Sequence, residues 1–248
     1  MEMTEIIDSL LKKRGLCDKP SLSSLKAPDS WPGVTSCANL LYDSLVNGKS
    51  ICLWGDYDVD GVTSAVLGIR VLTQINGIND FRCAISHYLP DRVKDGYGVN
   101  VRGVEKLRND GVQVLLTADC GISSHKAIQR AVDLGMTVIV SDHHIPDDGN
   151  LPNAHAICDP MLDPECDDKG MNLAGVGQLF ILLAAVCQRL AAGGFKTPRI
   201  EGQLDLVALG SIADVSTMTG QNRILCYYGM DLHARSSFSG EQIHPVIA

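Results

Sequence analysis

The chain has 248 residues, which is enough for one large α/β domain or two small ones. Hydrophobic residues make up 45% of it, so a sizeable core can form, and the formal net charge of −8 argues against a basic nucleic-acid-binding surface over the whole chain. The nine cysteines have irregular spacings and no CxxC pair, which indicates reduced thiols in a cytoplasmic protein and not a disulfide framework.

The first 32 residues are predicted to form an arm that is partly helical and partly extended. Residues 1–15 have the pattern of an amphipathic helix, with acidic residues early and basic residues late, and they lack the uninterrupted apolar core of a signal peptide. The longest apolar stretch, residues 173–187, is shorter than the ~20 residues that a membrane span needs, and it contains Gln178. We therefore expect a buried core helix there and no membrane association.

Between residues 33 and 171, apolar strands alternate with helices. The predicted strands are residues 49–55, 81–90, 112–118, 136–141 and 154–160, and the predicted helices are residues 38–48, 62–75, 101–111 and 124–135. This alternation predicts an α/β fold, with a parallel β-sheet flanked by helices. Residues 172–235 form a helical C-terminal segment of the same domain, with predicted helices at 172–192, 203–213 and 221–234. Residues 236–248 are predicted to be a tail or a cut linker.

Three of the predicted strands run directly into acidic residues or histidines. In chain order these are Asp56, Asp58, Asp60, Asp119, Asp142, His143 and His144. The carboxyl ends of parallel strands meet at one edge of the sheet, where open α/β sheets bind ligands. Side chains two apart in an extended chain point the same way, so the three aspartates at 56, 58 and 60 would repel one another unless a positive charge lies between them.

A further acid, Asp214, follows the apolar stretch LDLVALGSIA. Carboxylates together with imidazole match a two-metal hydrolytic site for divalent ions such as Mn²⁺ or Mg²⁺, and the scarcity of cysteine at these positions disfavours structural zinc. DYDVDG is not interpreted as a calcium-binding EF-hand, because Leu67 stands where the loop needs glutamate and a strand precedes the loop. A solvated turn is the minority interpretation of the aspartates. A catalytic thiol at Cys120 is an open alternative.

Six segments occur in an order that is specific to one family. They are GDYDVDG, YLPDRVKDGYG, TADCGISS, VSDHH, LAGVGQLF and LDLVALGSIADV. Together they resemble the DHH phosphoesterases, which take their name from the residues at 142–144, and more narrowly the RecJ type, which are single-strand-specific 5′→3′ DNA exonucleases. The similarity extends from about residue 25 to about residue 235.

The resemblance implies a role for each acidic and histidine position. The implied ligands of one metal ion are Asp56, Asp58 and Asp119. The implied ligands of a second ion are Asp60, Asp119, His143 and Asp214. His144 would face the scissile phosphate, and Asp142 would orient an imidazole from behind the ligands, so these two and Asp119 are the predicted catalytic residues. The implied cofactor is a pair of Mn²⁺ ions, with Mg²⁺ as the alternative.

Residues close to these motifs are predicted to contact the substrate, which the resemblance implies is single-stranded DNA or a short oligonucleotide. Arg92 and Tyr97 could contact phosphate or stack on a base. Ser123 and Ser124 could cap a helix start whose backbone N–H groups face an anion, with ordinary capping as the alternative. Arg223 matches a family position that is expected to contact a substrate phosphate.

The chain departs from the family pattern in two respects. Cys120 stands where the family usually has asparagine, and a thiol cannot make both hydrogen bonds of an amide. RecJ-like enzymes also continue into a second, glycine-rich domain, which nothing in this sequence resembles. We expect an isolated core, a natural short homologue, or one half of a two-chain enzyme whose partner chain supplies that domain.

Three functions follow from this interpretation. The first is a RecJ-type exonuclease that releases 5′-mononucleotides in DNA repair or recombination. The alternatives are a DHH phosphodiesterase for short oligonucleotides or cyclic dinucleotides, and a non-catalytic DHH scaffold module.

Overall fold

The computed structural model describes residues 3–15, 19–166 and 170–239, and it confirms the predicted α/β fold class. All strand pairs are parallel, and the strand order is β2–β1–β3–β4–β5. The strands are β1 (Ile51–Trp54), β2 (Ile85–Tyr88), β3 (Val114–Ala118), β4 (Thr137–Ser141) and β5 (Ala156–Cys158).

Helices cover both faces of this sheet. The described part of the chain contains the helices α1 (Met3–Lys13), α2 (Val34–Val46), α3 (Val59–Asn79), α4 (Val101–Asn109), α5 (His125–Asp133), α6 (Gly175–Ala192), α7 (Leu204–Ala213) and α8 (Gly220–Ser239), of which α2 to α7 contribute buried residues to the core around the sheet. Short 3₁₀ turns connect several of them.

The alternation of side chains along the strands divides the core into two parts. Leu53 and Leu116 lie in the larger part, which includes the buried faces of α2, α3, α6 and α7. Their neighbours Trp54 and Leu115 lie in the smaller part, with α4 and α5. Because both faces of the sheet are covered, its strands are apolar on both sides, which explains why they appear in the sequence as continuous apolar runs.

Helix α6 is the core helix predicted around residues 173–187. By length and composition alone it could cross a membrane, but 67% of it is buried inside the structure, where it packs against α2, α3 and α7. This burial confirms the prediction of a core helix.

Helix α3 begins earlier than predicted, at Val59 and not at residue 62. The cause is Asp58, whose Oδ1 accepts a hydrogen bond from the backbone N–H of Gly61 at 2.9 Å and so caps the helix. Asp60 therefore lies in the first turn of a helix. The expectation that the side chains of Asp56, Asp58 and Asp60 point the same way from an extended chain was wrong.

Strand β2 is shorter than the predicted strand at residues 81–90. Asp80 and Arg82 have φ angles of 53° and 60°, in the left-handed region, so the chain turns before it extends. The side chain of Asn76 stabilises this turn by accepting from Cys83 N (2.8 Å) and donating to Cys83 O (3.1 Å). At the other end of the chain, α8 runs to Ser239, so the predicted tail begins inside a helix. The rest of that predicted tail, residues 240–248, lies outside the described residues.

Candidate metal centre and catalytic groove

The acidic residues gather where the strand order reverses. The chain passes from β1 to β2 on one side and returns to β3 on the other, which leaves a crevice at the carboxyl ends of β1 and β3. Asp56 follows β1 and Asp119 follows β3, and both are buried at this crevice. The topology of the sheet thus places residues that are distant in sequence at one point.

A first triad consists of Asp56, Asp58 and Asp119, each of which offers a carboxylate oxygen within 4.8 Å of the others. Asp56 Oδ1 is buried and has no hydrogen-bond partner, and burial raises the pKa of this carboxyl. Asp119 has a left-handed backbone with φ of 63°, which is uncommon outside glycine but is tolerated best by short polar residues such as aspartate. This conformation places the Asp119 carboxylate beside the end of β1.

A second triad consists of Asp60, His143 and Asp214, whose ligand atoms also lie within 4.8 Å of one another. His143 Nε2 is 3.8 Å from Asp60 Oδ2 and 3.1 Å from Asp119 Oδ1, although it makes no well-aligned hydrogen bond. Asp214 Oδ2 accepts a hydrogen bond of 2.5 Å from Ser216 Oγ. Asp119 therefore lies within reach of both triads.

The start of helix α6 holds the second triad in place. Asp60 Oδ2 accepts from Gly175 N at 2.7 Å and Asp60 Oδ1 accepts from Val176 N at 2.9 Å. These carboxylate contacts suit the positive end of the helix dipole. A Cβ atom at Gly175 would lie 2.5 Å from Asp119 Cβ, so only glycine lets α6 approach this closely.

Three of the acids in the two triads, Asp56, Asp60 and Asp119, are buried close together. Burial raises the pKa of Asp119 to about 8 and that of Asp60 to about 6. Burial alone would lower the pKa of His143, but Asp119, followed by Asp60 and Asp142, raises it to about 10. The cluster therefore favours added positive charge. Its carboxylate and imidazole donors, one of them a buried oxygen without a partner, fit divalent ions such as Mn²⁺ or Mg²⁺.

Behind the triads, Asp142 holds the imidazole of His144. His144 Nδ1 donates to Asp142 Oδ1 at 2.8 Å, and Ile122 N donates to Asp142 Oδ2 at 2.8 Å. The hydrogen bond to Asp142 raises the pKa of His144. With Nδ1 paired to Asp142, the raised pKa favours the ring that is protonated at both nitrogens, so Nε2–H is available to donate to an anion. The imidazole that Asp142 contacts is that of His144, and not that of His143.

Both histidines line a groove with a volume of ≈ 520 Å³. Its other lining residues include Tyr97, Ser123, Asn172, Asp214 and Thr217. Tyr97 Oη lies 3.4 Å from the ring nitrogens of His144, and the two rings meet edge to face with centroids 5.9 Å apart. A volume of this size suits a small ligand such as a nucleotide.

The remaining predicted substrate contacts lie in different places. Arg92 is exposed and stacks over the ring of Tyr57, 5.1 Å from its centroid, beside the first triad. Arg223 lies on α8 and lines a separate cavity of ≈ 470 Å³, so the structure does not place it in the groove. Ser124 is at the cap position of α5, but its Oγ accepts from Val99 N at 3.1 Å and not from the helix. The expectation that Ser124 caps the helix with its side chain was wrong.

Cys120, considered as a possible catalytic thiol, is buried and does not line the groove of the histidines. Its side chain is fully buried and points towards the backbone carbonyl oxygens of Trp54 (3.7 Å) and Ala118 (3.6 Å). Burial raises the pKa of this thiol, which disfavours the thiolate that a nucleophile needs.

Asp159 is a buried acid that the sequence analysis missed. It directly follows β5, its Oδ1 accepts from Met161 N at 2.8 Å, and its Oδ2 is buried without a hydrogen-bond partner. Burial raises the pKa of Asp159 to about 7. The predicted strand at residues 154–160 contains Asp159, whereas β5 ends at Cys158, so only the structure shows that Asp159 follows a strand as Asp56 and Asp119 do.

Comparison with known proteins identifies relatives that match most of this chain. The model of the DHH family, N-terminal domain, matches residues 50–211. The single-stranded-DNA-specific exonuclease RecJ of Escherichia coli is 36% identical over 239 residues, which cover 92% of this chain and 40% of the relative. RecJ of Bacillus subtilis is 31% identical, over 97% of this chain and 29% of the relative. The chain thus spans less than half the length of these relatives.

Solved structures agree with this similarity. A crystal structure of exonuclease RecJ bound to manganese superposes with a TM-score of 0.73 at 33% identity, covering 88% of this chain and 52% of that one. RecJ from Thermus thermophilus in complex with Mn²⁺ gives a TM-score of 0.70 at 28% identity, covering 94% and 33% of the two chains.

Proposed function

Since this chain belongs to the DHH family, we propose that it carries the catalytic site of a metal-dependent exonuclease that releases 5′-mononucleotides from single-stranded DNA in the 5′→3′ direction. The observation that supports this best is the pair of triads that meet at Asp119 beside a groove containing His144. The RecJ relatives, which are named as single-stranded-DNA-specific exonucleases, support the choice of substrate.

In this proposal each triad holds one divalent cation, and Asp119 lies between the two. The structures of RecJ relatives with Mn²⁺ and with Mg²⁺ support the choice of metal. Two such ions, when bound, activate a water molecule and offset the negative charge of the scissile phosphate. The protein supplies the carboxylate and imidazole ligands, and the start of α6 positions the Asp60 carboxylate through two hydrogen bonds.

The groove residues act on the substrate directly. Asp142 holds His144 so that its Nε2 faces the scissile phosphate and stabilises the charge that develops there. Tyr97 fixes the other side of the His144 ring and offers an aromatic face to a base. Ser123 is exposed in the groove and can donate a hydrogen bond to phosphate. Arg92 reaches phosphate from the side of the first triad.

The remainder of a long strand needs further protein surface. Arg223 lies on α8, outside the groove, and is proposed to contact a phosphate away from the scissile bond. This chain matches only 29–40% of the length of the RecJ relatives. We therefore propose that a second domain, on the same polypeptide or on a partner chain, grips the strand beyond the groove. Degradation of single strands from an end fits a role in DNA repair or recombination, in the cytoplasm.

The test is digestion of single- and double-stranded oligonucleotides labelled at either end, with Mn²⁺ or with a chelator, and with a dinucleotide as control. The expected result is 5′-mononucleotides from the 5′ end of the single strand, lost in chelator. Cleavage of the dinucleotide alone would assign the chain to phosphodiesterases of short oligonucleotides. Purified protein that binds no Mn²⁺ would indicate a scaffold module.

A further inference from the structure

Two exposed aliphatic side chains line the groove, and the proposed chemistry does not use them. Ile145 follows His144 in the chain, and its side chain is 77% exposed. Val215 follows Asp214 and is 86% exposed. They come from different segments, one after β4 and the other between α7 and α8, and yet both lie in the groove that contains the two histidines.

Val215 is also held in a strained conformation. Its φ is 60°, in the left-handed region that β-branched residues rarely adopt. The turn is tied by hydrogen bonds from Val215 N to Ile212 O (3.1 Å) and from Ser216 N to Ser211 O (3.2 Å), which glycine at this position could keep without strain. The fold therefore does not need the valine side chain. Strain retained beside a site is a pointer to function.

We propose that Ile145 and Val215 form an apolar clamp for the nucleobase of the nucleotide whose phosphate lies at the triads. This proposal depends on the proposed function, because that function fixes a phosphate beside His143 and Asp214. The base of the same nucleotide is joined to that phosphate through one sugar, so it can reach the rest of this groove of ≈ 520 Å³. Every base has an apolar face, so aliphatic side chains and the ring of Tyr97 can hold it without selecting a sequence.

A base is favoured over a protein segment as the occupant because of where the two side chains lie. They share one groove with His143, His144 and Asp214, and so face the same space as the groups that would act on phosphate. Ser123 and Thr217 line the same groove and offer hydroxyls to a sugar or phosphate. An aliphatic pair beside polar groups matches a nucleotide, which is apolar at the base and polar elsewhere.

Equilibrium binding tests the clamp without requiring turnover. Isothermal titration calorimetry in Mn²⁺ compares deoxythymidine 5′-monophosphate with 2-deoxyribose 5-phosphate, which has the same phosphate but no base. The wild-type chain is expected to bind the nucleotide about tenfold more tightly, in line with the contribution of one stacked base. In the double variant Ile145→Ala/Val215→Gly, this ratio is expected to fall to about twofold or less, while the Kd of the sugar phosphate stays unchanged.

The control is Ile78→Ala, a partly exposed isoleucine (43%) near the C-terminal end of α3, which should leave the ratio at its wild-type value. Val215→Gly alone should preserve the melting temperature, so a loss of binding there would not reflect unfolding.

A wild-type ratio near one, with Mn²⁺-dependent cleavage of single strands intact, would overturn the clamp and leave the proposed function standing. If neither ligand binds and no cleavage occurs, the proposed function fails and the clamp fails with it. A third result would also overturn the proposal. If the two ligands bind the wild-type chain equally, and that chain dimerises whereas the double variant stays monomeric, the two side chains form a protein contact.

Discussion

The first triad (Asp56, Asp58, Asp119) and the second triad (Asp60, His143, Asp214) differ in how firmly the protein holds them. In the second, both oxygens of Asp60 accept backbone N–H groups, and Asp214 accepts from Ser216. In the first, Asp58 is exposed and accepts one hydrogen bond, from Gly61 N, and Asp56 Oδ1 is buried without a partner. The second triad is therefore preorganised by the fold, whereas the first depends more on a cation.

This difference arises within a single run of sequence. Asp56, Asp58 and Asp60 stand at every second position, but helix α3 begins at Val59 and turns Asp60 towards α6. One motif thus contributes to two metal sites, because a helix cap interrupts the extended chain. Asp58 takes part twice, as the cap of α3 and as a member of the first triad.

The largest effect is expected at Asp119, which belongs to the first triad and lies 3.1 Å from His143 of the second. Asp119→Asn keeps the shape of the side chain and tolerates the left-handed backbone, but it removes a charge from both sites. We expect kcat/KM on single-stranded DNA to fall about a thousandfold, equivalent to the several kcal/mol that metal ions contribute to catalysis. The matched control is Asp80→Asn, an exposed aspartate whose φ is also left-handed (53°). Near-normal rates in Asp119→Asn would contradict the placement of Asp119 between the two cations.

A somewhat smaller effect is expected where α6 meets the site. A Cβ at Gly175 would collide with Asp119, so Gly175→Ala should displace the carboxylate and lower activity about a hundredfold, the cost of a misplacement of ~1 Å. Gly177→Ala, in the same helix, meets only the Leu173 side chain, at 3.4 Å, and should keep full activity. Steady-state kinetics on both variants decide the point. Equal activity in the two variants would contradict the close packing of α6.

The pH dependence of stability should reveal the buried acids. Asp60 and Asp119 have folded-state pKa values raised by burial to about 6 and about 8, against about 4 when unfolded. The folded state then binds more protons than the unfolded state between pH 4 and 8, so the free energy of unfolding falls as pH rises through this range. The pKa of His143 is raised from 6.5 to about 10, so this residue further lowers the free energy of unfolding as pH rises through that range.

Manganese should offset this fall in the free energy of unfolding at high pH, because it binds only deprotonated ligands. The gain in melting temperature from Mn²⁺ over chelator is therefore expected to be larger at pH 8 than at pH 6, by at least about 2 °C. Differential scanning calorimetry measures it. A gain that does not change with pH would mean that the buried acids are not the ligands.

The smallest effects are expected at Asp58, which both caps α3 and belongs to the first triad. Asp58→Asn should keep the cap of α3, since asparagine caps as well as aspartate, and lower activity about tenfold through the first triad. Asp58→Ala should lose the same activity and also about 1 kcal/mol of unfolding free energy. Chemical denaturation and kinetics on both variants test this. Equal stability of the two variants would contradict the capping role.

The sequence predicted the sheet better than it predicted the geometry of the site. The strand cores are apolar runs bounded by polar residues, such as residues 51–54 and 114–118, and a parallel sheet buried on both faces leaves that pattern directly in the sequence. Local periodicity could not show that Asp58 caps α3, nor that the left-handed residues Asp80 and Arg82 shorten β2.

Features that depend on contacts between distant segments were beyond sequence reasoning. Gly175 matters because α6 packs on Asp119, 56 positions earlier in the chain, and nothing near Gly175 in the sequence indicates this contact. Arg223 was predicted to contact a substrate phosphate, and only the structure shows that it lies on α8 and lines a cavity separate from the groove. The strain at Val215 likewise appears only once the turn between α7 and α8 is built.

The central claim is that two cations lie at the carboxyl edge of the sheet, with Asp119 between them. Anomalous diffraction from a crystal soaked in Mn²⁺ tests it most directly. We predict two manganese peaks, one coordinated by Asp56, Asp58 and Asp119 and the other by Asp60, His143 and Asp214. Peaks elsewhere, or no peak at Asp119, would contradict the account.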